Sequence, residues 1–173
     1  MMANVDYEME LISGIYEILP NRFGAGIIQN NFELLGEIKY TDSEIDYANT
    51  ILKETGKELK GLDGTIKPLR PTLPAQGGST DVGDVSQVVP VVRLRTTTAA
   101  KDGPWHSWAV VACTGMSIGH KGMIYASKAL AMTMLDLYKN PKLIDGVRKE
   151  FLVRKGDRVY VPQIPPGPPK LID

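Results

Sequence analysis

Residues 119–138, GHKGMIYASKALAMTMLDLY, are the stretch on which the fold reading turns. They are rich in alanine, methionine and leucine, all good helix formers. Ile124, Ala131, Leu135 and Tyr138 line one side, and the spacing predicts that this side is buried. Met123, Ala126, Leu130, Met134 and Leu137 broaden the apolar surface until little of the circumference is polar. A helix that is apolar nearly all round belongs inside a larger body, and the usual partner is a sheet. The expectation is therefore an α/β fold with helices packed on a mixed sheet.

Working outward, Asn140 with Pro141 marks a second helix start, cap followed by first turn. Leu143, Ile144, Val147 and Phe151 form its apolar stripe. Upstream, Thr41 and Glu44 have capping-box spacing, and Ile45, Ala48, Ile51 and Leu52 share one face before Gly56. Residues 23–35 keep rough helical spacing and stop at Gly36. Gly24 and Gly26 weaken that helix by about 1 kcal/mol each relative to alanine, unless they allow close backbone packing. Residues 81–88 suggest one short helical turn. Strands are expected at residues 5–13, 90–95 and 108–112 from loose alternation and β-branched runs. Residues 56–76 carry three glycines and three prolines with no sustained period and read as a long surface excursion. The tail from residue 157 is proline-rich and has no core of its own.

The chain has 173 residues, 43% of them apolar and 23% charged, which suits a globular domain. Twenty basic residues balance twenty acidic ones, so composition points to neither nucleic acid nor an anionic membrane. No apolar run is long enough to span a bilayer, and the acidic opening predicts no secretory signal. One cysteine, Cys113, excludes an internal disulfide and fits a reducing cytoplasm.

The residues able to carry chemistry gather between Gly77 and Lys121. His106 lies in Gly103-Pro104-Trp105-His106-Ser107-Trp108, where an imidazole held between large aromatics could ligate a metal, with Ser107 fixing the ring. On the residues alone the plainer reading is a partly buried, hydrogen-bonded histidine, since a metal site normally needs three or four protein ligands. His120, beside Lys121 at a helix entry, reads as a neutral histidine near the helix dipole. Gly77, Gly78, Ser79 and Thr80 could present N–H groups to an anion, or Ser79, Thr80 or Asp81 could simply cap a helix. Asp84 could pair with Arg93 or Arg95. Cys113 sits among apolar neighbours and reads as a buried small side chain. Two histidines without an acidic cluster beside them do not build a closed metal site.

The run Gly78-Ser79-Thr80-Asp81-Val82-Gly83-Asp84-Val85-Ser86, together with residues 14–21, 31–36, 103–108 and 117–123, resembles the zinc-dependent amidohydrolase and metallopeptidase family of aminoacylases, carboxypeptidase G and p-aminobenzoyl-glutamate hydrolase. The resemblance implies that residues 1–20 are the last strand of a lid or dimerisation domain. Residues 21–156 would be the C-terminal part of the metal-binding domain, and 157–173 a tail. It implies His106 as a metal ligand, with Gly77, Gly78, Ser79 and Thr80 beside the substrate and Asp81, Ser107 and His120 around them. It implies two zinc or manganese ions, a small-molecule amide substrate, and cleavage of an N-acyl or aminobenzoyl amino acid. The family's other ligands and its catalytic glutamate precede the lid, and no stretch here corresponds to them. The expected partner is therefore the N-terminal portion of a hydrolase, or further copies of the chain. The alternative is an inactive remnant that keeps half of the fold for assembly.

Overall fold

A computed structural model describes residues 5–9, 11–70 and 79–168 of the chain. Six helices follow one another: α1 (Arg22–Leu35), α2 (Asp42–Glu54), α3 (Val82–Val88), α4 (Trp108–Thr114), α5 (Ser117–Lys139) and α6 (Pro141–Lys155). Helix α5 is the axis. It packs against α1, α4 and α6, while α1 meets α6 and α2 meets α4.

The helix boundaries follow local chemistry. Asn21 caps α1 by accepting the Gly24 N–H at 2.8 Å, and Gly36 ends it at φ 75° with its N–H on Phe32 O. Gly24 has a packing reason, because a Cβ there would lie 2.4 Å from Val92 Cγ2. Thr41 and Glu44 form the capping box of α2. Asn140 caps α6, with Pro141 at its first turn.

Two groups of side chains hold the helices together. Ala48, Ile51, Leu52, Ala100, Ala109, Cys113 and Ile118 form a core joining α2, α4 and the start of α5. Further along α5 the contact with α1 is partly polar: the Asn31 amide donates to Thr133 Oγ1 at 3.1 Å and to Asp136 Oδ2 at 2.8 Å. Gly146 of α6 takes the Phe23 ring, which a Cβ would meet at 2.4 Å. The Asn21 amide then ties this corner to Val147 O at 2.8 Å.

The expected helices-on-sheet architecture is overturned: no strand forms among the described residues, about half of which are helical. The residues expected as a strand at 108–112 belong to α4 instead. Its apolar run suited either element, and helix wins because it places Ala109 and Cys113, four apart, together in the core. Residues 90–95 do alternate between half-buried Val92 and Leu94 and exposed Arg93 and Arg95. A strand also needs a ladder, and residues 91–98 make no backbone–backbone hydrogen bond among the described residues. The described part of residues 5–20 is likewise irregular, with no lid strand formed.

The buried side of α5 also differs from the expected one. Ile118, Gly119, Gly122, Ala129 and Thr133 face inward. Met123, Ile124, Leu130, Ala131, Met134, Leu135 and Tyr138 are exposed. Small residues let neighbouring backbone approach; a Cβ on Gly122 would lie 2.3 Å from Thr97 O. Periodicity could not separate the two sides of a helix that is apolar on both.

In place of a ladder, α3 holds residues 16–19 with its side chains. Asp84 accepts the Tyr16 N–H at 3.3 Å, Ser86 Oγ accepts the Leu19 N–H at 2.9 Å, and the Gln87 amide donates to Glu17 O at 2.9 Å. The second Asp84 oxygen accepts the Tyr160 hydroxyl at 3.1 Å, while the Tyr16 hydroxyl donates to Val161 O at 3.0 Å. Asp84 thus joins two distant segments and does not pair with Arg93 or Arg95.

Candidate functional site

The loop that carries His106 is fixed from below and open above. Ala100 is in the core, the Lys101 N–H donates to Gly61 O at 2.9 Å, and Gly103 N–H turns back to Ala100 O at 3.2 Å. Asp63 reinforces the join. Its carboxylate lies 3.1 Å from both Lys67 and Lys101. The Thr65 hydroxyl and the Lys67 ammonium, opposed by burial, hold the Asp63 carboxyl well below the usual range; Lys101 and the Thr65 N–H add to this.

His106 is exposed and has φ 58°, a left-handed conformation that histidine adopts more readily than most residues. Trp105 and Trp108 beside it are also largely exposed. The alternative of a partly buried, hydrogen-bonded histidine is therefore not borne out. Ser107 does not orient the ring: its hydroxyl donates to Pro104 O at 2.6 Å and closes the turn. The imidazole therefore projects from a rigid loop toward solvent.

The other candidate residues do not assemble around it. His120 is exposed on the first turn of α5, with its N–H on Met116 O at 3.0 Å. Thr80 serves its own helix, its hydroxyl accepting the Val82 N–H at 3.3 Å and its carbonyl the Gly83 N–H at 3.2 Å. Asp81 makes no side-chain cap, and Ser79 is exposed. Gly77 and Gly78 lie outside the described residues. Among the described residues no group of three or more His, Cys, Asp or Glu side chains could hold a metal ion. The described residues by themselves therefore do not complete a metal centre.

A second well-connected carboxylate, besides Asp63, is one that the sequence marks as a cap. Glu44, 8% exposed, accepts from Lys121 Nζ at 2.6 Å, Ser117 Oγ at 2.6 Å and the Thr41 N–H at 2.7 Å. Burial alone would raise its pKa, but these hydrogen bonds and the Lys121 charge outweigh it and lower the value to about 2. Lys121 also donates to Lys39 O at 2.9 Å and sits over the Tyr40 ring. Tyr40 has its pKa raised to about 12, by burial first and then by Glu44. The cluster fixes the entry of α5. The further signal in the sequence is Ser117 and Lys121, one turn apart at a helix start.

The likeness of this chain is to amide- and peptide-bond hydrolases. It is 35% identical over 89 residues, 51% of its length, to the B subunit of p-aminobenzoyl-glutamate hydrolase from Escherichia coli K12. It is 38% identical over 79 residues, 46% of its length, to Xaa-Arg dipeptidase of Mus musculus. Each match spans 18% of the relative's own length. No family model matches the chain, and no solved structure matches it. Among the described residues no helix is long and apolar enough to cross a membrane.

Proposed function

We propose that this chain acts as the C-terminal portion, or a separate subunit, of a metal-dependent amidohydrolase that cleaves an N-acyl or aminobenzoyl amino acid. The observation that carries the reading is the likeness to two relatives whose names are those of a hydrolase and a dipeptidase. His106 would give one ligand to a two-ion zinc or manganese centre, since its imidazole is exposed on a pinned loop. The ions, when bound, would polarise the amide carbonyl and activate water. The remaining ligands and the general base would come from a further polypeptide segment. This chain's own part would be to hold His106 and to supply one wall of the substrate site. The cytoplasm is the proposed compartment, on the ground of the single cysteine, Cys113, which is buried as a free thiol.

A second reading is favoured by a separate observation, the apolar outer side of α5. On this reading the chain is an inactive remnant kept for assembly, with itself or with the rest of a hydrolase. Co-expression with a candidate N-terminal polypeptide tests both. Complex formation with zinc- or manganese-dependent hydrolysis of aminobenzoyl-glutamate supports the enzyme. A complex without hydrolysis supports the remnant, and absence of both overturns the enzyme reading.

A further inference from the structure

A groove of about 360 Å³ opens between α1, α5 and the segments around residues 63–67 and 95–97, lined by residues that the proposed hydrolytic role does not use. Phe32 and Tyr125 line it with stacked rings, centroids 5.4 Å apart and planes at 26°. The Tyr125 hydroxyl is committed to Gly36 O at 2.8 Å, so this residue offers the groove its ring. Ile38 and Ile66 extend the apolar lining.

The charged lining is unbalanced. Asp63 is already matched by Lys67 and Lys101. Arg95 is exposed, lines the same groove, and has no ion pair or side-chain hydrogen bond among the described residues. A planar guanidinium with free donors fits a carboxylate two-pronged. Lys67 and the Thr65, Thr96 and Thr97 hydroxyls also line the groove, but each is already engaged within the chain, which leaves inorganic phosphate fewer free donors than the several convergent ones it would seek. A ring beside the stacked pair gains contact that an aliphatic acid would lack.

We propose that this groove binds a small aromatic carboxylate, with Arg95 taking the carboxylate and the Phe32, Tyr125, Ile38 and Ile66 surfaces taking the ring. The inference rests on the groove alone and stands whether or not the chain belongs to a hydrolase.

The test is calorimetric titration of the complete chain with benzoate at fixed ionic strength. Saturable binding with a one-to-one ratio is expected, and excess inorganic phosphate should not displace it. Arg95→Ala should weaken binding about ten-fold, the loss of one charge-assisted pair, and Arg95→Lys should restore only part. Ile66→Glu places a like charge in the groove and should abolish binding with the helical circular dichroism unchanged. Absence of saturation, displacement by phosphate, or unaltered binding by Arg95→Ala overturns the proposal.

Discussion

Lys121 Nζ lies 2.6 Å from Glu44 Oε2, so the second turn of α5 is bonded to the first turn of α2 through the same carboxylate that caps α2. One side chain therefore does two structural jobs. Glu44→Gln leaves a partly buried ammonium without its counter-charge and weakens the cap. The expected loss is about 2 kcal/mol, below the usual cost of breaking a fully buried pair because Lys121 keeps some water contact. Urea unfolding checks it, and a loss under about 0.5 kcal/mol would show that the pair adds nothing.

Acid should act through the same group. Glu44 has its pKa lowered from 4.5 to about 2 in the folded chain. A lowered folded-state value means that the stability it contributes is complete above pH 4.5 and falls as pH drops toward 2. The Asp63 carboxyl is shifted in the same direction and adds to the loss. In unfolding curves across that window, the gap between the native chain and Glu44→Gln should narrow steadily. A gap of constant size would contradict the assignment.

Gly83→Ala should release the segment that α3 holds. A Cβ there would sit 1.8 Å from Tyr16 O, and a backbone atom cannot swing aside as a side-chain tip can. About 1–3 kcal/mol of destabilisation is expected from such overpacking. Limited proteolysis should show faster cleavage before Leu19 than in the native chain; equal rates would mean that the clasp tolerates the methyl.

The two histidines should separate in an active assembly. His106→Ala should abolish metal-dependent hydrolysis while costing no more than about 1 kcal/mol of stability, because the ring is exposed and only the left-handed backbone disfavours alanine. His120→Ala should leave hydrolysis within about two-fold, since that ring projects from the outer surface of α5. Equal loss from both substitutions would remove the distinction drawn from their positions.

The termini of the helices were legible because their signals are local. Thr41 with Glu44, Asn140 with Pro141, and Gly36 each act over three or four residues, and each appears where its chemistry requires. Sidedness in α5 was not, since Met123 and Leu130 are as apolar as anything turned inward and only the neighbours decide. Residues 90–95 mislead for a related reason: alternation is a property of the segment, whereas a ladder is a property of its partner. At the candidate site, His106 stands out by residue type and context, but its exposure and left-handed backbone do not. Asp84 looks like half of an ion pair and proves a bracket for Tyr16 and Tyr160, contacts separated by 68 and 76 positions that no local rule reaches.

That bracket bears on the order in which the chain assembles. Tyr16 and Val161 are 145 positions apart, and bringing such ends together costs about 2 kcal/mol more in chain entropy than closing a loop of a dozen residues. The helical hairpin of α5 and α6 asks almost nothing of this kind. Folding should therefore begin with neighbouring helices, and the meeting of Tyr16, Asp84 and Tyr160 should be a late event that fastens the first and last parts of the described chain onto a body already formed.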